Sequence, residues 1–187
     1  EVTPQTFEEV KPDVIILAAG ASPDIPDIPG ARGSNVASPL DVLTGVRETG
    51  EQVVVVGGGL IGCETAEFLA SRGKKVTITS RQRRIGHDIG STTRWGMVQR
   101  MRKLGIGVEP NMTAQEITER GVRFQRDGES HFLEADTVVL AGGMRANREL
   151  AQALEGKVAD LYIIGDCIEP RRIGEAMAEG FLAANKI

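Results

Sequence analysis

A chain of 187 residues, 41% of them apolar, is long enough for one large domain or two small ones with a real core. Its formal net charge of −4 argues against nucleic acid as a partner, which calls for a basic balance. No apolar run reaches the roughly 20 residues of a membrane span, so no membrane partner is expected either.

The first element is Asp13-Val-Ile-Ile-Leu-Ala-Ala-Gly20, an acid, four apolar residues and then small ones. It reads as a buried parallel strand ending where a backbone can approach a ligand. Three prolines within Ser22–Gly30 then exclude a helix or a central strand, leaving an extended connector. Ser38-Pro39-Leu-Asp-Val-Leu43 predicts a short helix. Next, Val53-Val-Val-Val56 enters Gly57-x-Gly59-x-x-Gly62, and a helical pattern runs on from Leu60 to about Ser71. In a strand-turn-helix of this kind, the first glycine permits the tight turn and the second lets a pyrophosphate approach. The third lets helix and strand pack closely, and the anion sits on the helix's first amides, here including Leu60 and Ile61.

A strand follows over Lys75–Thr79, then a helix from about Ser91 to Leu104, with Ser91 or Thr92 as N-cap and Gly105 as C-cap. Ile106–Glu109, Thr113–Thr118, Val122–Gln125 and Ser130–Leu133 are short segments separated by Gly121 and by Asp127-Gly128, a hairpin signal. They predict a small antiparallel meander. Asp136-Thr-Val-Val-Leu-Ala-Gly142-Gly143 repeats the spelling of the first strand, and Gly142 and Gly143 leave room for a cofactor at its end. A third relative, Asp160-Leu-Tyr-Ile-Ile-Gly165-Asp166, precedes a closing helix from Ile173 to Ile187.

The end of the Lys75–Thr79 strand bears on cofactor choice. NAD binders place an acid about 20 residues past the glycines to accept from the ribose 2′-hydroxyl. Here Ser80 and Arg81 stand in its place, with Arg83 and Arg84 beyond, and these are donors suited to a 2′-phosphate. The pattern favours NADP(H) over NAD(H), although such a charge run is also what a solvated loop looks like. Cys63 and Cys167 read as packing residues, and the absence of Cys-x-x-Cys fits a reducing, cytoplasmic setting. His87 and His131 have no neighbour at metal-ligand spacing, so no metal site is expected. No residue has the look of an acid or base acting on a substrate, so no catalytic residue is assigned.

Together these strings resemble the pyridine nucleotide–disulfide oxidoreductase superfamily, flavoproteins whose NAD(P)H-binding domain is inserted into a FAD-binding domain. Gly57-x-Gly59-x-x-Gly62-x-Glu64-x-Ala66 resembles the NAD(P)H fingerprint, which implies a place for Glu64 near the nicotinamide. Leu17-Ala-Ala-Gly20 resembles the strand leaving the FAD domain, and Ile164-Gly165-Asp166 its late FAD motif, with Asp166 near the ribityl or pyrophosphate. The stretch from Ile164 to Ala184 is similar to the C-terminal part of the 2,4-dienoyl-CoA reductase and 2-enoate reductase group.

The resemblance implies an α/β fold: a Rossmann-like three-layer NAD(P)-binding domain over 51–147 with the meander. That domain would be inserted into an incomplete FAD-binding domain formed by 1–33 and 158–187. It implies FAD in a longer polypeptide, with FMN and a 4Fe-4S cluster upstream in the same chain, and electrons passing from NADPH to FAD and on to an enoate or dienoyl-CoA centre. The 187 residues hold one Gly-x-Gly-x-x-Gly and lack the cysteine pair of disulfide reductases, so alone they are expected to be inactive. A ferredoxin- or rubredoxin-reductase type of flavoprotein, and a structural ADP-binding module as in amine dehydrogenases, are the other readings.

Overall fold

The computed structural model describes residues 2–158 and 160–187. The chain divides into two units, Ile25–Gly143 and Glu1–Asp24 with Met144–Ile187. The first elements are α1 (Pro4–Val10), β1 (Val14–Leu17), β2 (Ala21–Pro23), β3 (Val36–Ala37) and α2 (Pro39–Leu43). The chain continues with β4 (Gln52–Val56), α3 (Leu60–Ser71), β5 (Lys75–Thr79), α4 (Ser91–Lys103) and β6 (Gly107–Glu109). The meander is β7 (Thr113–Thr118), β8 (Gly121–Arg126) and β9 (Glu129–Glu134), and β10 (Thr137–Leu140) returns to the sheet. The chain closes with β11 (Met144–Ala146), α5 (Glu149–Leu154), β12 (Asp160–Ile163), a 3-10 turn at Gly165–Cys167 and α6 (Ile173–Ala184).

The Ile25–Gly143 unit has three layers. Its five-stranded sheet runs β3-β10-β4-β5-β6, every pair parallel. A run such as Val53–Val56 is apolar throughout because the sheet is covered on both faces. Val53 and Val55, with Ile78 and Val139, pack with Cys63, Ala66 and Leu69 of α3 and with Met97 and Met101 of α4. Val54 and Val138 point the other way, towards Ile117, Val122 and Phe124 of the meander. The fold is thus α/β and Rossmann-like, with the antiparallel meander β7-β8-β9 as its third layer. Asp127 and Gly128, both at positive φ, form the β8–β9 hairpin turn.

In the other unit β1 pairs in parallel with β12, Val14 opposite Asp160 through Leu17 opposite Ile163. β2 and β11 form an antiparallel ribbon. Among the described residues no helix is long and apolar enough to cross a membrane.

Several local expectations need correction. The N-cap of α4 is Gly90, with Ser91 already helical, and its C-cap is Leu104, with Gly105 one residue beyond at φ 71°. The proline-rich connector begins as strand β2, because a two-stranded edge tolerates Pro23 at its end. The short elements α1, β3, β11 and α5 carry too few residues to show a period in the sequence.

Candidate functional site

β4 lies between β5, reached through α3, and β10, which returns from the meander, so the chain's direction of winding reverses beside it. At such a point the strand ends leave a crevice where ligands of doubly wound sheets bind. Gly57 follows β4 directly. Its φ is 129°, and a Cβ there would stand 2.3 Å from the Ala141 carbonyl oxygen at the end of β10. Gly62, in the first turn of α3, would place a Cβ 1.9 Å from the Gly57 carbonyl oxygen. These two glycines are therefore demanded by the protein's own packing.

Gly59 is different. It is the N-cap of α3 in extended conformation, so its backbone admits any residue. The atoms a Cβ would meet there belong to the Asp88 carboxylate, at 3.3 to 3.7 Å. The mouth of the turn thus opens beside Gly59, over the Leu60, Ile61 and Gly62 amides, which have no partner one turn earlier in the helix. Among the candidates near it, Ile61 and Glu64 are exposed and Gly62 is buried. Gly142 and Gly143 are exposed beyond β10, with no atom within 4 Å of either missing Cβ, and Gly143 has φ 147°.

The segment after β5 folds back over this turn. Ser80 is buried rather than presented at the surface, and its Oγ lies 2.9 Å from where a Gly58 Cβ would stand. That Oγ accepts the Gln82 amide at 3.0 Å, which leaves the hydroxyl proton available. Gly58 is therefore a glycine to make room for Ser80. Arg81, Arg83 and Arg84 are exposed, and none has an ion-pair partner among the described residues. Arg83 and Arg84, with Arg94, Arg102, Val108 and Pro110, line a cleft of about 230 Å³. Arg94 donates to the Ile85 carbonyl, while Arg100 forms a two-pronged pair with Glu67, so the basic face of α4 is partly committed to structure.

Sequence reasoning missed Asp88. Its Oδ2 accepts the Leu60 amide at 3.0 Å, across 28 residues of chain, with no motif to announce it. Cys63, on the same turn, is fully buried; burial first, and then Asp88, push its thiol up to about 11. A thiol so raised stays protonated and inert, as a packing residue should.

The candidates in the other unit sit around the ends of β1 and β12. Gly20, at φ 67°, is held by Asn147, which donates from its amide to Gly20 O at 3.1 Å and from Nδ2 to Ala19 O at 3.0 Å. Gly165 is buried at φ 71°, and its amide donates to Glu179 at 2.7 Å. Arg171 pairs with the same carboxylate, and these two contacts hold Glu179 below the usual carboxylate range. Asp166 accepts the Arg171 amide at 3.1 Å, bracing the turn. Among the described residues no cluster of His, Cys, Asp and Glu is built to hold a metal.

A family model for pyridine nucleotide-disulphide oxidoreductases matches residues 3–180. The chain belongs to this family. A pyridine nucleotide-disulphide oxidoreductase domain of this kind is a flavin- and nicotinamide-binding fold, so membership implies FAD and NAD(P)H as its cofactors.

The chain is 40% identical to an NADH oxidase of Thermoanaerobacter brockii over 98% of its own length and 29% of the relative's. It is 35% identical to a metal reductase of Desulforamulus reducens over 96% of its length and 31% of the relative's. A solved 2-naphthoyl-CoA reductase in complex with 2-naphthoyl-CoA superposes with a TM-score of 0.95 at 34% identity, covering all of this chain and 29% of that one. The chain thus spans under a third of the length of these relatives. Its two cysteines are both buried and free.

Proposed function

We propose that this chain is the pyridine-nucleotide-binding part of a larger flavin-dependent reductase, and that it positions NADPH for reduction of FAD. The observation that carries the reading is the mouth at Gly59, where backbone conformation does not call for a glycine and the atoms bordering the missing Cβ are those of the Asp88 side chain, at 3.3 to 3.7 Å, with no backbone among them. A pyrophosphate laid there meets the amides of Leu60, Ile61 and Gly62 and the positive end of α3. Gly142 and Gly143 give the nicotinamide half room at the end of β10, and Glu64 stands one turn into α3 beside it. Arg81 and Arg83, exposed after β5, receive the 2′-phosphate, while the buried Ser80 shapes the turn beneath them. The mixed apolar and cationic wall near Pro110 suits the adenosine end. Bound NADPH supplies a hydride and the flavin accepts it; the protein's contribution is orientation and electrostatics.

Residues 1–33 and 158–187 are the matching parts of the FAD-binding domain, with 51–147 as the inserted nucleotide domain. In this reading Gly20, Gly165 and Asp166 approach the FAD. Electrons continue to an upstream centre carrying FMN and a 4Fe-4S cluster, where an enoate or dienoyl thioester is reduced. The kinship with a reductase solved with 2-naphthoyl-CoA favours a thioester substrate. The name of the NADH oxidase relative points to NADH, whereas the missing acid and the arginines after β5, which have no ion-pair partner among the described residues, point to NADPH.

Gly59→Ala tests the reading. A Cβ there crowds the phosphate but no backbone of the protein, so folding stability should change by less than about 1 kcal/mol. Affinity for NADPH, measured by calorimetric titration, should fall about tenfold or more. Equal affinity in the two proteins would remove the turn from the binding site.

A further inference from the structure

The turn after β12 takes its shape from hydrogen bonds more than from packing at Gly165. That glycine is buried at φ 71°, yet a Cβ there would meet only the Ala176 Cβ, at 3.8 Å, which is ordinary contact. Its amide donates to Glu179 Oε2 at 2.7 Å, reaching 14 residues along the chain to the middle of α6. The other oxygen of Glu179 pairs with the Arg171 guanidinium. Arg171 in turn donates its amide to Asp166 Oδ1 at 3.1 Å. A closed circuit thus runs from Glu179 through Gly165, Asp166 and Arg171 back to Glu179. It leaves the second Asp166 oxygen without a partner among the described residues.

We propose that Glu179 is the positioning residue of this turn: through the Gly165 amide and Arg171 it holds the Asp166 carboxylate so that its second oxygen can accept from a hydroxyl of FAD. This rests on the reading of Gly165 and Asp166 as FAD contacts. A buried amide that loses its acceptor has to find another or leave its place, and either course moves the next residue, Asp166. A carboxylate is the stronger acceptor for the task, because a charge-assisted bond exceeds a neutral one. Arg171 serves at both ends, its guanidinium aligning Glu179 and its backbone holding Asp166.

The test uses the full-length flavoprotein, stripped of flavin and titrated with FAD while flavin fluorescence is followed. Asp166→Ala removes the contact itself and should weaken FAD about tenfold or more. Glu179→Ala leaves the Asp166 side chain intact and should still weaken FAD about tenfold. Glu179→Gln keeps an oxygen for the Gly165 amide and should recover to within about threefold of wild type. A second readout needs no flavin. In the isotope-labelled 187-residue chain, the Asp166 carboxyl carbon and the Arg171 amide should shift in Glu179→Ala and return towards wild type in Glu179→Gln. The Gly57–Gly62 amides should stay in place in both, as they do if the rest of the fold is intact.

Three results would overturn the proposal: Glu179→Ala binding FAD like wild type while Asp166→Ala does not, Glu179→Gln as weak as Glu179→Ala, or an Asp166 resonance unmoved in Glu179→Ala. Should Asp166→Ala itself bind FAD like wild type, the FAD reading of the turn falls, and this inference with it.

Discussion

Gly62→Ala is expected to lower the melting temperature of the Ile25–Gly143 unit by about 10 °C. An added Cβ would stand 1.9 Å from the Gly57 carbonyl oxygen and 3.0 Å from its carbon, and both are backbone atoms of a turn. Gly57 has little freedom to retreat, because its amide donates to Thr79 O at 3.1 Å and its own Cβ position faces Ala141. Overpacking costs typically about 1–3 kcal/mol and more where backbone must move. Alanine's helical preference returns only about 1 kcal/mol, so the overlap decides the sign. A loss of about 3 kcal/mol corresponds to the shift stated. Gly142→Ala is the control: its added methyl meets nothing within 4 Å, so its melting temperature should stay near wild type. If Gly62→Ala melts with wild type as well, the close approach of α3 to the turn is wrong.

The second large effect concerns cofactor choice. Arg81→Ala should weaken NADPH binding about tenfold or more and leave NADH nearly untouched. Charge-assisted contacts to phosphate contribute about 1.5–3 kcal/mol, of which solvent at an exposed guanidinium removes part. Arg83→Ala should act in the same direction, and the preference should fade as salt rises. The arginines are the right place to test this. Ser80 is buried against Gly58, so a larger acid in its place would disturb the turn before it met any ribose. Loss of both cofactors to the same degree in Arg81→Ala would mean that these side chains are a solvated loop.

Much of the nucleotide-type unit is legible in the sequence because its signals are local. Val53–Val56 is a continuous apolar run, and it is so because Val54 serves the meander while Val53 and Val55 serve the helices. The helix over Leu60–Ser71 and the strand over Lys75–Thr79 fall where periodicity places them. The glycines are legible as a motif, but their separate reasons are not. Gly57 and Gly62 answer to protein backbone, Gly58 to Ser80, and Gly59 borders the Asp88 carboxylate, and these surroundings exist only once β10 and the Ser80–Gly90 segment are in place.

Asp88 was invisible for the same reason, since its partner is Leu60 and no local pattern links the two. Asn147, which ties down Gly20 from across the chain, belongs in that class as well. The N-cap of α4 lies one residue before Ser91 and two before Thr92, because glycine, serine and threonine all cap helices and the order Gly90-Ser91-Thr92 offers three choices.

The central claim is that a dinucleotide lies across Gly57–Gly62, and amide chemical-shift mapping of the isotope-labelled chain with NADPH tests it most directly. The Leu60, Ile61 and Gly62 amides should move furthest, because each would receive a phosphate oxygen, followed by Gly142, Gly143, Arg81 and Arg83. Saturation of NADPH with those turn amides unmoved, and the shifts gathered elsewhere on the chain, would contradict it.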